Sequence, residues 1–172
     1  WENACGGSAI VDECGECGGN GPIPGYTCDG TPELFLHNTS PQQAFYFFNT
    51  VLIDDENISA DDWVGTFNGD VCVGANKWDT SLCNNGVCNV PAFGYDGGTE
   101  GTAGYLLSGV CNADVCISGS NAGNDCSVNG NDDCPGDIPT FKIFDASENS
   151  YYNATPSENI PWSFMDFNII DN

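Results

Sequence analysis

Positive charge is almost missing from this chain. Arginine is absent, and two lysines and one histidine stand against 25 acidic residues, which gives a formal net charge of −23 at pH 7. A surface of this sign repels phosphate backbones and anionic lipid head groups. Nucleic acid and anionic membrane surfaces are therefore not expected as partners, and cations, neutral sugars and proteins remain.

Catalytic motifs are also missing. The sequence contains no Gly-x-Ser-x-Gly, no P-loop and no Rossmann glycine pattern, and its one histidine, His37, lacks a second histidine or an arginine to work with. A lone histidine is more often a structural residue than a base. Counting alone leaves a glycosidase-type carboxylate pair open. The inventory as a whole predicts a non-enzymatic protein with no catalytic residue and no organic cofactor.

Long apolar stretches are absent too. None is long enough to span a bilayer, so we expect no membrane insertion. The sequence also opens without a basic, apolar signal sequence, as expected of an already processed polypeptide.

Cysteine, in contrast, is abundant, with eleven residues in 172. Such density is typical of oxidising compartments and predicts a secreted protein, extracellular or at the cell surface. Zinc is the competing interpretation, but the Cys-x-x-Cys spacing occurs only at Cys14 and Cys17, with no second pair at zinc spacing. The disulfide candidates are Cys14, Cys17, Cys28, Cys72, Cys83, Cys88, Cys111, Cys116, Cys126 and Cys134.

The probable core lies between Gln43 and Gly74. Residues 43–53 are rich in aromatic and β-branched side chains and are apolar at both odd and even positions, which predicts a strand with two apolar faces. Trp63–Phe67, Asn68-Gly69 and Asp70–Gly74 predict a hairpin with a type I′ turn. Alternation places Trp63 and Phe67 on one face, and Val71 and Val73 together on one face of the second strand.

Further strands are expected at residues 33–37, 104–107, 140–145, 150–153 and 162–170. With no convincing helix, the predicted fold is all-β: a two-sheet antiparallel β-sandwich, Ig-like or jelly-roll-like. We expect a Cys/Gly-rich N-terminal segment at residues 1–30 and a sandwich domain at residues 31–172. Residues 110–136 lack periodicity and predict a Cys-rich loop insertion within that domain.

The N-terminal segment carries a resemblance. Residues 12–21 read Asp-Glu-Cys-Gly-Glu-Cys-Gly-Gly-Asn-Gly, which resembles the Cys-Gly repeats of secreted bacterial surface and filament proteins, where β-sandwich modules accompany them. The order of apolar strand, acidic turn, residues 62–67 and Cys72-Val-Gly is similar to those modules. The resemblance implies a disulfide-stapled spacer. Cys5-Gly-Gly looks like the tail of a preceding copy without its first half, so Cys5 is the candidate for an unpaired or intermolecular cysteine.

Two acidic clusters are candidate cation sites. Closely spaced carboxylates repel one another, and hard oxygen ligands suit Ca²⁺. The equal alternative is a solvated turn whose side chains point apart, because the Asp-x-Asn-x-Asp-Gly loop pattern is missing. The candidate ligands are Asp54, Asp55, Asp61 and Asp62 in the first cluster, and Asn129, Asn131, Asp133 and Asp137 in the second.

Three glycosylation sequons occur, at Asn38, Asn57 and Asn153, each beside a predicted turn. Their use requires a host with the matching transferase, so attached glycan is a prediction that depends on the source.

Two functions compete. A strand with two apolar faces, a coreless strip before Glu33 and an apolar tail at residues 162–170 predict a structural subunit of an extracellular filament or surface assembly, joined head to tail to copies of itself. The alternative is a carbohydrate-binding or adhesive module of a larger secreted protein, for which a surface row of three rings would be evidence. The candidate rings are Trp63, Trp78, Tyr95, Tyr105, Tyr151 and Tyr152.

Overall fold

The computed structural model describes residues 5, 9–83, 85–112, 115–120, 122–123 and 134–172. The chain divides into two compact units, one ending at Leu36 and the other running from His37 to Asn172. No helix in the described ranges is long and apolar enough to cross a membrane.

The N-terminal unit is held by two disulfides that overlap along the sequence, Cys5–Cys17 and Cys14–Cys28. The prediction that Cys5 is unpaired or intermolecular is therefore wrong. The chain folds back on itself at this point, since the N–H of Gly18 donates to the carbonyl of Ile10 at 2.8 Å. This turn brings Cys17 to the upstream cysteine, and no preceding repeat is needed to supply a partner.

Asp12 organises the turn between these disulfides. Its carboxylate accepts the backbone N–H groups of Glu16 and Gly21, both at 2.8 Å, and of Cys14 at 3.0 Å. These bonds, that from Gly21 foremost, lower the pKa of the Asp12 carboxyl. A Cβ added at Gly19 would lie 2.1 Å from its Oδ2. The Asp-x-Cys-Gly-x-Cys-Gly-Gly-x-Gly pattern thus places backbone N–H groups around the Asp12 carboxylate and a glycine where a side chain would collide with it.

A strand predicted at residues 33–37 is not formed. Glu33–Phe35 is a single 3₁₀ turn that follows Pro32, whose φ is −56°. The N–H of Phe35 donates to the carbonyl of Pro32 at 2.8 Å. The turn places Phe35 in the interior and leaves Leu34 and Leu36 exposed, so the apolar run Leu-Phe-Leu does not form a strand face.

The second unit is a β-sandwich, as predicted, with nearly all its regular structure in strands and one further 3₁₀ turn at Thr80–Leu82. The strands in chain order are β1 Gln43–Phe48, β2 Leu52–Ile53, β3 Glu56–Asn57, β4 Trp63–Asn68, β5 Val71–Lys77, β6 Cys88–Phe93, β7 Val110–Asn112, β8 Val115–Ser118, β9 Thr140–Asp145, β10 Ser150–Ala154 and β11 Phe167–Ile170.

The two main sheets have strand orders β11-β1-β6 and β10-β9-β4-β5, and β2-β3 and β7-β8 form separate hairpins. Among the strands described, β1 pairs with β11 in parallel and every other pair is antiparallel, so the predicted antiparallel arrangement has this one exception. The strand predicted at residues 43–53 is divided in two, because β1 ends at Phe48 and β2 begins at Leu52. The strand expected at residues 104–107 is reduced to a single bridge between Leu106 and Gly94.

The core forms where the inward face of β1 meets the four-stranded sheet. Ala44, Tyr46 and Phe48 are buried, and the ring of Phe48 packs edge-on against Phe141 with centroids 5.1 Å apart. The hydroxyl of Tyr46 donates to the carbonyl of Ile160 at 3.1 Å. Inward alternation along β1 therefore supplies one wall of the core, as a sandwich strand requires.

The β4–β5 hairpin is formed, but its turn lies one residue later than predicted. Asn68 pairs with Val71, so Gly69-Asp70 is the two-residue loop, with only Gly69 at positive φ (+60°). The register then shifts between Thr66 and Phe67. The prediction that Val71 and Val73 share a face is wrong, because this bulge leaves Val71 39% exposed and Val73 fully buried.

The sandwich is closed on one side. A Cβ added at Gly74 of β5 would lie 1.9 Å from the carbonyl oxygen of Pro91 in β6. Asn76 Nδ2 donates to the carbonyl of Asn89 at 3.1 Å. The edges β5 and β6 therefore face each other, and β10 and β11 are the outer strands on the other side.

Disulfides Cys83–Cys88 and Cys116–Cys134 join four of the candidate cysteines, and the second lies in the Cys-rich insertion. Cys72, a predicted disulfide candidate, is instead a free, buried thiol. Its Sγ donates to the carbonyl of Gly74 at 3.5 Å, because the bulge directs it into the interior. Cys126 lies outside the described residues, and the side chain of Cys111 is not described either.

Candidate functional site

The outer face of the three-stranded sheet is the most distinctive surface of the sandwich. In the parallel pair, Phe45 lies opposite Phe167 and Phe47 opposite Ile169, and Pro91 of β6 lies opposite Phe45. Side chains alternate along strands, so these five lie on the face away from the core. We name them the ring face.

The ring face is exposed where it meets β11. Phe167 is 63% and Ile169 67% exposed, whereas Phe45 and Phe47 are half-buried. The ring of Phe167 stacks on Phe45 at 5.7 Å and 22°, and on Phe47 at 6.2 Å and 27°. Three nearly parallel rings thus form a row on the surface of the sheet.

No charged side chain lies on β1 or β11, although the chain carries a net charge of −23. In the sequence, Asp166 and Asp171 directly flank β11, and Asp171 Oδ1 accepts a bond from Asn49 Nδ2 at 3.1 Å. An uncharged apolar face with a polar rim is typical of an interaction surface. It is also where two acidic copies would meet the least electrostatic repulsion.

The aromatic residues that the sequence nominated for binding are placed differently. Trp78 and Tyr105 are buried in the core, each 3% exposed. Tyr95 is 47% exposed, and Tyr151 and Tyr152 are each 36% exposed on opposite faces of β10; Trp63 is half-buried. The row of three rings consists of phenylalanines, which the sequence pattern had marked only as apolar strand residues.

His37, expected to be structural, stacks on Phe93 with ring centroids 5.7 Å apart. This contact fits that expectation.

The first acidic cluster is dispersed among structural roles. Asp54 and Asp55 are the two central residues of the β2–β3 turn, both at positive φ (51° and 66°), as a type I′ turn requires. Asp61 Oδ1 accepts from Lys77 Nζ at 2.8 Å. Buried Asp62 accepts the N–H groups of Ser59 at 2.6 Å and Ala146 at 2.9 Å.

The second cluster is described only at Asp137, whose Oδ2 accepts the N–H of Leu107 at 2.9 Å. Asn129, Asn131 and Asp133 lie outside the described residues. Within the part of the chain that the structure describes, no group of three or more His, Cys, Asp or Glu side chains is arranged to hold a metal ion.

The three sequon asparagines are all exposed. Asn57 lies in β3 and Asn153 in β10. Asn153 accepts a bond from Lys142 Nζ at 2.6 Å through Oδ1, so its Nδ2, the atom that carries a glycan, is not the one engaged. The backbone of Asn38 is fixed by the Tyr105 hydroxyl, which receives the N–H at 2.7 Å.

Comparison with known proteins gives no relative from which a role for the ring face could be transferred. No family model matches this sequence, and neither curated proteins nor solved structures give a significant match.

Proposed function

We propose that this chain is a non-enzymatic structural subunit of an extracellular filament or cell-surface assembly, and that it associates head to tail with copies of itself. The observation that carries the proposal is the ring face, an uncharged apolar surface on a highly acidic chain. Removing apolar surface from water contributes about 25 cal/mol per Å². Such a face gains from a partner and loses nothing to charge desolvation.

Exposed apolar side chains in the N-terminal unit support a head-to-tail contact. Ile10 is 82% and Ile23 70% exposed. A chain with apolar side chains exposed in both units is suited to a heterologous contact, in which one unit of each copy meets the other unit of the next. Contacts of this kind propagate into a filament unless their rotation closes a ring.

The extracellular setting is part of the proposal. Four disulfides in the described residues fit an oxidising compartment. Glycan on Asn38, Asn57 or Asn153, all of which are exposed, would add solvated bulk to the surface. Ca²⁺ or salt would screen the charge of −23 between neighbouring copies.

The test is the size and shape of purified, non-reduced particles. Electron microscopy and sedimentation velocity are expected to show filaments or large assemblies of the wild type, and more of them with Ca²⁺. Phe167→Ser and the double variant Ile10→Ser, Ile23→Ser should each remain dispersed. Leu82→Ser, which alters an equally apolar residue that is 84% exposed in a 3₁₀ turn, is the control and should assemble.

Dispersed wild-type particles at high concentration with Ca²⁺ present would contradict the proposal. Assembly of Phe167→Ser at the wild-type level would remove the ring face from it.

One observation favours a second function. The row formed by Phe45, Phe167 and Phe47 has the near-parallel rings on which a carbohydrate module stacks sugars. A sugar-binding chain would bind members of a glycan panel as a monomer, and Phe167→Ser would abolish that binding. Phenylalanine lacks the polar group by which tyrosine and tryptophan orient a ligand, which is why self-association is preferred here.

A further inference from the structure

We infer that the open edge of β11 is where an extended strand of a second copy adds to the three-stranded sheet, with the backbone of Ile169 at the centre of the contact. This inference rests on the proposed function, and it specifies how two copies join.

The hydrogen-bond pattern identifies which groups face outward. The N–H of Phe45 donates to the carbonyl of Asp166 at 3.0 Å, and that of Asn49 to the carbonyl of Ile170 at 3.1 Å. In a parallel ladder with this register, Asn168 and Ile170 turn both backbone groups toward β1. The N–H and C=O of Phe167 and Ile169 therefore point away from β1.

Only part of that edge is capped within the chain. The N–H of Phe167 donates to Asp166 Oδ1 at 3.0 Å. Among the described residues, β11 has no strand neighbour beyond β1, and no hydrogen bond is formed by the N–H or C=O of Ile169. An exposed edge of this kind is a template for pairing with another chain.

The side of β10 and β11 is partly filled by residues 157–162, since the N–H of Ser157 donates to the carbonyl of Asn172 at 2.8 Å and the carbonyl of Ile160 accepts the Tyr46 hydroxyl at 3.1 Å. The two main sheets have three and four strands, and β6 cannot accept a further strand because β5 lies against it at Gly74 and Pro91. Tyr152 and Ala154 of β10 pair with Ile143 and Phe141, so they face the core side of their sheet, yet Tyr152 is 36% exposed.

A cleft of about 290 Å³ opens into the core on the same side. Its apolar walls come from β1, β4, β9, β10 and residues 51–53, and Asn172, two residues after β11, also lines it. The apolar residues that line it include Phe48, Val64, Phe141, Ile143, Tyr152 and Ala154. The cleft shows that the core is incompletely covered beside β10, on the side of the sandwich where β11 has its free edge.

Charge selects a second copy as the occupant. A basic partner would be attracted to the acidic surfaces of the chain, not to β1 and β11, which are uncharged. A copy with a charge of −23 is repelled by those acidic surfaces and can approach closely only where charge is missing. The edge of β11 is also continuous with the ring face through Phe167 and Ile169, so one approach buries both.

The test removes one outward N–H. Ile169→Pro deletes the N–H that faces away from β1 and leaves the β1–β11 ladder intact, which is the position where an edge strand tolerates proline. We expect this variant to fold with wild-type near-UV circular dichroism and to remain dispersed. Ile169→Val keeps both the N–H and an apolar side chain, and it should assemble as the wild type does.

Hydrogen exchange on the wild type provides a measurement that does not depend on the variant folding. The Ile169 amide should exchange at least tenfold more slowly in the assembled than in the dispersed protein. If the wild type assembles while this amide exchanges at the same rate in both states, or while Ile169→Pro assembles, the inference fails and the proposed function stands. If the wild type never assembles, the proposed function itself fails. If the Ile169 amide is already protected from exchange in dispersed particles, its N–H is bonded within its own chain, and this result would also overturn the inference.

Discussion

The ring of Phe45 stacks on the ring of Phe167 with centroids 5.7 Å apart, which joins the first long strand of the sandwich to its last. The stack exists because β1 and β11 pair in parallel with these two residues in register. It turns two separate apolar stretches of sequence into one surface, and the proposed assembly depends on that surface.

Phe167→Ser should separate assembly from stability. Because Phe167 is 63% exposed, most of its ring is already in water, and we expect the free energy of unfolding to fall by less than about 1 kcal/mol. Phe141→Ala, in contrast, empties a core position and should cost about 3–5 kcal/mol. Denaturant unfolding measures both changes. A Phe167→Ser variant as unstable as Phe141→Ala would show that the ring face belongs to the core.

Asp12→Asn should loosen the N-terminal unit. Bonds from Gly21 and other backbone N–H groups lower the pKa of the Asp12 carboxyl in the folded unit. Their stabilisation is therefore fully present above the ordinary pKa of 3.8 and is lost as the pH falls through the lowered value. Dithiothreitol should reduce Cys5–Cys17 and Cys14–Cys28 faster in the variant at pH 7.

The matched control for that experiment is Glu13→Gln, which removes a neighbouring exposed carboxylate. Equal reduction rates for the two variants would show that charge in general, and not the Asp12 bonds, holds the unit. With a phosphine reductant, which does not depend on a thiolate, the difference in rate between the wild type and Asp12→Asn should disappear as the pH falls through the lowered pKa of Asp12.

Gly74→Ala should destabilise the closed side of the sandwich. The new methyl group would lie 1.9 Å from the carbonyl oxygen of Pro91, a backbone atom that cannot rotate away. We expect a loss of about 1–3 kcal/mol in unfolding free energy, typical of overpacking. Gly98→Ala is the control, because nothing lies within 4 Å of its added Cβ. Indistinguishable midpoints in urea would contradict the close approach of β5 and β6.

The Cys72 thiol should not react with alkylating reagents until the protein unfolds. Burial raises the pKa of this thiol from 9.0 to about 11. Native protein at pH 8 is expected to resist iodoacetamide, and denatured, non-reduced protein should carry the label at Cys72 and not at Cys5. Label on Cys5 under those conditions would contradict the Cys5–Cys17 bridge.

The same thiol makes stability depend on alkaline pH. A pKa raised by folding contributes stability that is complete below the unfolded value of 9.0 and is lost as the pH rises through about 11. At about 1.4 kcal/mol per pKa unit, the loss approaches 2–3 kcal/mol. Cys72→Ala has no thiol to ionise, so its unfolding free energy should fall less steeply between pH 9 and 11. Parallel pH profiles would refute the assignment.

The sandwich could be predicted because its signals are local. The dense aromatic and β-branched residues of β1 and the Asn68-Gly69 dipeptide each act within a few residues, and both produced strands close to the expected positions. The turn moved by one residue because the bulge after Thr66 changed the pairing of the hairpin. Register depends on packing across the whole sheet, which no dipeptide encodes.

The candidate site could be predicted only in part. Two apolar faces on residues 43–53 and an apolar tail at residues 162–170 were visible in the sequence, but their parallel pairing was not. Parallel neighbours require a long connection, and nothing local to Phe45 indicates that Phe167 lies beside it. The pairing of Cys5 was missed for a similar reason, since it depends on the turn that Asp12 holds.

The parallel pairing of β1 with β11 also imposes an order on biosynthesis. A ribosome delivers residues 43–48 long before residues 167–170, so a nascent chain holds Phe45 and Phe47 without the strand that completes their row. The surface proposed for polymerisation thus matures after every other strand of the sandwich has been made. In the proposed assembly, a polypeptide cut short before β11 would therefore lack the contact surface and would not associate.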